Sequence, residues 1–201
     1  MAARLRVGVL LSGSGTNLQA ILDAADDSYE VAVVLGDKAE AFGLERARKA
    51  GVAAVHIDPK AYDGREAFNA ALVAALNEHQ VELVCLAGFM RILAPNFVHA
   101  FPNRILNIHP ALLPAFPGGT AVADALAWGA KVTGTTVHLV DEEVDHGPIV
   151  LQRAVPIETG DTEETLHERI KAFEHELYPE AIRLFAAGRL KIEGRVVHLL
   201  D

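Results

Sequence analysis

Leu5-Arg6-Val7-Gly8-Val9-Leu10-Leu11-Ser12-Gly13-Ser14-Gly15-Thr16-Asn17-Leu18 runs from an apolar strand, through a Gly/Ser turn, into the start of a helix. Glycines let a chain turn tightly and bring its amides close to an anion, and a helix N-terminus adds partial positive charge. A phosphate cradle is one reading of the turn. The other is a plain strand-to-helix connection in which Thr16 or Asn17 caps the helix. It is not a Walker loop, because the Lys-Ser/Thr ending is absent, and it lacks the dinucleotide-fingerprint spacing.

Beyond this unit the same alternation continues. Strands are expected at Leu5–Leu11, Glu30–Leu35, Val52–Ile57, Leu83–Ala87 and Ile105–Ile108, and helices at Leu18–Ala25, Gly43–Ala50, Arg65–His79 and Pro95–Phe101. Such alternation predicts an α/β fold: an open, mainly parallel twisted sheet with helices on both faces. After Pro110 the texture changes. A Pro/Gly-rich loop, Pro110–Gly119, leads to a helix near Val122–Trp128, strands at Val132–Leu139 and Ile149–Val155, and a long helix at about Thr162–Ala187. Thr159-Gly160-Asp161-Thr162 signals the start of that helix and Gly188 its stop, and Leu190–Leu200 reads as a hairpin. No repeat, low-complexity tract or linker divides the chain, so residues 1–201 are expected to form a single domain.

Composition narrows the class. The chain has 201 residues, is 51% hydrophobic and carries a net charge of −9. Its apolar runs are short and interrupted, so no membrane span is expected. The start at Met1 enters a strand too quickly for a signal peptide. One cysteine, Cys85, excludes an intrachain disulfide framework and suits a reducing cytoplasm. The negative charge argues against a general nucleic-acid surface, while local basic groups remain available for an anionic metabolite.

The chemistry is concentrated at Asn107-Ile108-His109-Pro110 and Asp145-His146-Gly147-Pro148. Asn107 and His109 flank Ile108, so in a strand their side chains leave on one face. A carbonyl attacked by an amine becomes a tetrahedral species bearing an oxyanion and an ammonium. It needs donors on one side and a proton acceptor on the other. Asparagine donates without titrating, histidine donates as imidazolium, and a nearby aspartate favours that charged form. Read singly, Asn107 is a turn cap, His109 a loop histidine and Asp145 the opening of a Gly-Pro turn.

The longer wording is more specific. Asn107-Ile108-His109-Pro110-Ala111-Leu112-Leu113-Pro114-Ala115-Phe116-Pro117-Gly118, followed by His138-Leu139-Val140-Asp141-Glu142-Glu143-Val144-Asp145-His146-Gly147-Pro148-Ile149, resembles the folate-dependent formyltransferases. The resemblance runs from about Val7 to Leu190. It implies a formyltransferase-like fold with a Rossmann-type N-terminal half, and transfer of formyl from 10-formyltetrahydrofolate to the amine of phosphoribosylglycinamide in purine biosynthesis. It also implies that Asn107, His109 and Asp145 are catalytic. Protonated His109 and Asn107 would stabilise the oxyanion, and Asp145 would favour the imidazolium and assist proton movement through water.

By the same resemblance, Gly15, Thr16 and Asn17 hold the substrate phosphate. Lys171, Ala172, Phe173 and Glu174 contact the ribonucleotide, with Glu174 as a polar partner. Arg65 and the segment Met90, Arg91, Ile92 and Leu93 contact the folate. So does the loop Asp141, Glu142, Glu143, Val144 and Asp145, whose backbone holds the ring, together with Asn107. Without the resemblance, Arg65 is a surface charge, Asp141–Glu143 a solvated acidic stretch and Glu174 a solvent-facing helix residue.

Three positions depart from the family wording. Ala111 stands where many relatives have Ser, Gly119–Val122 lacks the histidines often found there, and His146 replaces a residue that is often small. His138 suits either the reactive site or a strand interior. His56, His79, His99, His167, His175 and His198 show no zinc-ligand spacing with cysteine, and no metal is expected. Among relatives, a formyltransferase acting on methionyl-tRNA is expected to carry a further C-terminal domain, and a deformylase of the formyl donor an extra N-terminal one. A nucleotide-binding module without chemistry accounts for the Gly-rich turn alone. The expected partners are the two small molecules, with no nucleic acid or membrane, for a cytoplasmic monomer or homodimer.

Overall fold

The computed structural model describes residues 3–201. Met1 and Ala2, part of the start read above against a signal peptide, lie outside the described residues. The element order is β1 (Leu5–Leu11), α1 (Thr16–Asp23), β2 (Tyr29–Gly36), α2 (Phe42–Lys49), β3 (Ala53–His56), α3 (Gly64–Glu78), β4 (Leu83–Leu86), α4 (Pro95–Ala100) and β5 (Ile105–His109). There follow α5 (Ala121–Trp128), β6 (Val132–Leu139), β7 (Ile149–Pro156), α6 (Glu163–Ala186), β8 (Leu190–Glu193) and β9 (Val196–Leu199). Strands β1 to β7 form an open sheet in the order β3-β2-β1-β4-β5-β6-β7, and β8 and β9 form a separate hairpin. The chain divides into two compact units, one ending at Leu106 and the other beginning at Asn107.

In the first unit β1 pairs in parallel with both β2 and β4, and β2 with β3. A strand covered on both sides reads as a continuous apolar run rather than an alternating one. Val7, Val9, Leu10 and Leu11 are accordingly fully buried. Gly8 lets the neighbouring side chains pack closely: a Cβ there would press on the Leu76 side chain of α3 at 2.5 Å. The sequence-based strands and helices of this unit are all present, with ends displaced by no more than two residues and β1 matched at both ends. A short 3-10 turn at Pro59–Ala61, started by Asp58 accepting the Lys60 N–H at 3.0 Å, is additional.

The second unit opens on the end of β5. Antiparallel β6 and β7 follow, with Gly134 passing so close to the Arg153 carbonyl that no side chain fits. Val122 of α5, Val155 of β7, and Leu166 and Ile170 of α6 form a core cluster, with Leu126, Ile157 and Phe173 against it. Helix α6 begins with a reciprocal cap in which Thr162 and Thr165 satisfy one another's amides. Arg169 then grips Asp161 with two hydrogen bonds of 2.8 Å. Pro179 sits buried inside α6, a position at which a helix gives up one internal hydrogen bond. Among the described residues no helix is long and apolar enough to cross a membrane.

Candidate active site

Strand β5 sends Asn107 and His109 to one side and Ile108 to the other, as alternation requires. His109 is 4% exposed. Its Nε2 lies 2.8 Å from the Phe116 carbonyl oxygen, which only accepts, so Nε2 carries the hydrogen. Its Nδ1 lies 3.4 Å from Asp145 Oδ2. The same Oδ2 accepts the Gly118 N–H at 2.7 Å. Asp145 lies in the loop between β6 and β7 and has φ 52°, a left-handed conformation that turns the chain there.

Asn107 and Asp145 share a further neighbour. His138, 2% exposed on β6, donates from Nδ1 to the Leu139 carbonyl at 2.8 Å. In the neutral ring this leaves Nε2 as an acceptor, 3.1 Å from Asn107 Nδ2. Asn107 Nδ2 also faces Asp145 Oδ1 at 3.4 Å. A ring lone pair and a carboxylate both call for a donor, so the amide presents its NH2 to them. His138 Nε2 lies 3.6 Å from Asp145 Oδ1, beyond hydrogen-bond length but close enough for electrostatic influence. Sequence patterning alone left His138 undecided. Its position two residues before Val140 on an apolar strand was the available signal.

Burial pushes the His109 imidazole below its ordinary pKa. Asp145 and the Phe116 carbonyl pull it upward and His138 adds to the lowering, and the net direction is down. Desolvation outweighs the single carboxylate, and with its pKa below the ordinary value the unliganded ring is mainly neutral near pH 7, its hydrogen on Nε2. Burial raises the Asp145 carboxyl, but His138, the Gly118 amide and His109 together hold it below the ordinary carboxylate range. Asp145 is therefore the fixed negative charge of the cluster.

The other expected site residues of the second unit lie on the β6–β7 loop and on α6. In the loop, Asp141 Oδ1 accepts the Glu143 N–H at 3.0 Å, while Glu142, Glu143 and Val144 are exposed. His146 donates from Nδ1 to Asp141 Oδ2 at 2.7 Å, and Arg195 from the β8–β9 turn meets its Nε2 at 2.8 Å. The unusual His146 is therefore engaged by its own loop and by the hairpin. On α6, Lys171 and Phe173 are half-buried, Ala172 is exposed and Glu174 is buried. A mid-helix glutamate is ordinarily solvent-facing, and this one is not. Phe173 packs on the core cluster, with the Arg153 guanidinium 5.8 Å from its ring.

In the first unit the β1–α1 turn has no side-chain cap, which corrects the alternative in which Thr16 or Asn17 caps the helix. Gly15 stands at the cap position with φ 71°, and a Cβ there would meet the Gly43 Cα at 2.7 Å. The turn is braced by Gly43 N–H to the Gly13 carbonyl at 3.0 Å and Arg46 Nε to the Ser14 carbonyl at 2.8 Å. The turn is thus shaped by backbone packing, and no side-chain cap hydrogen bond closes the start of α1. Met90 and Ile92 are 73% and 58% exposed, Arg91 is exposed and Leu93 is buried. Arg65 lies exposed in the first turn of α3, its carbonyl accepting from Asn69 Nδ2 at 2.9 Å. Among the described residues no group of three or more His, Cys, Asp or Glu side chains is arranged to hold a metal ion.

Comparison with known proteins adds a separate line. The family model described as formyl transferase matches residues 5–182. A phosphoribosylglycinamide formyltransferase of Escherichia coli (strain K12) is 46% identical over 198 residues, covering 97% of this chain and 93% of that protein. The crystal structure of glycinamide ribonucleotide transformylase 1 from Symbiobacterium toebii is 60% identical with a TM-score of 0.98, covering 100% of this chain and 96% of that one. A trifunctional purine biosynthetic protein adenosine-3 of Chironomus tentans is 50% identical over 195 residues, and there the chain spans only 14% of the larger protein.

Proposed function

Since the chain belongs to the formyl transferase family, we propose that it moves a formyl group from 10-formyltetrahydrofolate to the amine of phosphoribosylglycinamide, a step of purine biosynthesis. The observation that carries the reading is the close grouping of Asn107, His109 and Asp145, with a fixed carboxylate beside a neutral imidazole. The family match at residues 5–182 supports treating residues 1–201 as one formyltransferase domain.

In this reaction the amine nitrogen bonds to the formyl carbon, the bond from that carbon to the folate nitrogen breaks, and one proton passes from the incoming to the leaving nitrogen. The three side chains divide that work. Asn107 turns the N–H now held in the long 3.4 Å contact with Asp145 toward the forming oxyanion, while His138 keeps the amide oriented through its other hydrogen. His109 offers its Nε2–H to the same oxygen, exchanging the Phe116 carbonyl for the substrate oxygen. One hydrogen bond replaces another, so the exchange has little net cost.

Neutral His109 has its open lone pair on Nδ1, facing Asp145. As positive charge develops on the attacking amine, Asp145 draws its proton, directly or through water, and stabilises the imidazolium that forms when Nδ1 takes it up. The imidazolium then supplies a proton to the departing folate nitrogen, which leaves His109 neutral again. A donor aimed at the oxyanion in a water-poor setting is the largest single contribution available to such a site.

Gly15, Thr16 and Asn17 are assigned to the substrate phosphate, on the strength of uncapped amides at the start of α1. Lys171, Ala172, Phe173 and Glu174 are assigned to the ribonucleotide, with the buried Glu174 carboxylate as acceptor for ribose hydroxyls. Arg65, Met90–Leu93 and Asp141–Asp145 are assigned to the folate. No metal is required by this scheme. The two small molecules are the partners we assign, without nucleic acid or membrane, for a cytoplasmic monomer or homodimer.

The test is formyl transfer measured with phosphoribosylglycinamide, with charged methionyl-tRNA and with no acceptor. Transfer to the first alone is expected. Transfer to the tRNA, or hydrolysis as fast without acceptor, overturns the assignment.

A further inference from the structure

The stretch from Gly88 to Ala94, between β4 and α4, has no regular secondary structure, yet it exposes two large apolar side chains, Met90 and Ile92. An irregular apolar stretch keeps one shape only if its backbone is tied down. Two buried polar side chains, Ser12 and Asn69, tie its backbone, and a third, Asp37, ties the Arg91 side chain. Ser12, after β1, accepts the Met90 N–H at 2.9 Å, and its own N–H donates to the Gly88 carbonyl at 3.0 Å. Asn69, on α3, accepts the Ala94 N–H at 3.1 Å. Asp37, immediately after β2, accepts the Arg91 Nε–H at 2.5 Å.

Asp37 is the unexpected member. Its side chain is 1% exposed, against 42% for Arg91. Its second oxygen, Oδ1, is buried with no hydrogen-bond partner. A buried carboxylate is costly, more so with one oxygen idle, and an apolar side chain at this place would ordinarily serve packing better. The Arg91 guanidinium, held on one side by Asp37, lies 5.8 Å from the Phe68 ring. The Nε of Arg91 is thus engaged by Asp37, while its side chain stays 42% exposed.

We propose that Asp37 is a positioning residue for formyl-donor binding: by anchoring Arg91 it holds Met90–Leu93 in the shape that receives the flat folate ring, and the Arg91 charge serves the anchor rather than the ligand. This rests on the formyl-donor reading above. A segment already in its bound shape loses less entropy on binding, so releasing the anchor weakens the donor selectively.

The test is calorimetric titration of the full-length protein and its Asp37→Asn, Asp37→Ala, Arg91→Ala and Asp37→Ala/Arg91→Ala variants. The probes are tetrahydrofolate, its glutamate-free form and phosphoribosylglycinamide, with thermal melting run alongside. Loss of one charge-assisted hydrogen bond should raise the Kd of both folate probes about tenfold in each single variant, with no further rise in the double. The Kd of the ribonucleotide should stay within about twofold. An unchanged folate Kd in folded Asp37→Asn overturns the proposal. So does equal weakening of folate and ribonucleotide, which marks general loosening. A loss confined to the glutamate-bearing probe also overturns it, because that makes Arg91 a charge partner for the tail. Should Asp37→Ala not fold, Asp37→Asn decides. If the unsubstituted protein binds neither folate probe, the formyl-donor reading itself fails, and that arm is read before any variant.

Discussion

The Phe116 carbonyl accepts the His109 Nε2–H at 2.8 Å, and this contact fixes which nitrogen of the buried ring can titrate. Nδ1, opposite Asp145, is the site at which a proton arrives or leaves. The acid–base behaviour of the cluster follows from that one assignment.

Removing either oxyanion donor should therefore be costly to turnover. His109→Ala and Asn107→Ala are each expected to lower kcat by at least about 10²-fold while the protein remains folded. Steady-state kinetics beside circular dichroism checks this. Turnover near that of the unsubstituted protein in folded His109→Ala would remove His109 from the mechanism.

Asp145→Asn keeps the side-chain shape and deletes the charge that pulls the His109 pKa upward. With desolvation then opposed only by the Phe116 carbonyl, the His109 titration should move further down in pH and activity should fall. NMR titration of the ring resonances in both proteins reads the shift. An unmoved titration would mean that Asp145 is not the electrostatic partner of His109.

Gly15→Val and Arg65→Ala separate the two ligands. The substituted valine would need φ 71° and would press on the Gly43 backbone, so the turn that presents the α1 amides must deform. Ribonucleotide binding should weaken by about tenfold or more while folate binding changes little, consistent with loss of charge-assisted hydrogen bonds. Arg65→Ala should show the opposite bias. Equal losses for both ligands in both variants would show that the assignment of these residues is wrong.

Acid should weaken the fold earlier than its carboxylates alone dictate. Burial lowers the pKa of His109, and burial together with Lys171 lowers those of His167 and His175. A histidine whose folded pKa is depressed contributes stability that is fully present above its unfolded pKa, near 6.5, and lost as pH falls through the folded pKa. In that window the unfolded chain binds more protons. Urea unfolding should show stability declining from about pH 6.5 downward, with a shallower decline in His175→Gln. A flat profile down to the carboxylate range would refute it. The depressed Asp145 pKa adds a later loss, below the ordinary aspartate range.

The sequence carried the fold well because its signals are local. Val7 to Leu11 form a buried parallel strand, and such a strand must be a continuous apolar run. The Thr162 cap and Gly188 bracket α6 in the same way. Asn107 and His109 were readable as one face because strand alternation depends only on spacing. What the sequence did not carry depends on partners distant in the chain. Asp37 reads as a loop carboxylate until Arg91, 54 positions later, meets it. The resting charge of His109 depends on how deeply the fold buries it. Glu174 reads as solvent-facing because nothing within α6 reveals which of its faces is covered.

The whole polar cluster is drawn from residues 107 to 145, and its longest link, Asn107 to Asp145, closes a separation of 38 positions. Closing a flexible loop costs entropy that rises only logarithmically, about 0.6 kcal/mol for each doubling of length. The excursion between the two ends passes through Trp128, 82% exposed, and left-handed Gly129 at the end of α5. A few residues inserted there should lengthen the tether by a negligible entropic increment, leaving Asn107, His109 and Asp145 in register. The reactive cluster is in this sense insulated from drift in chain length at its outermost bend.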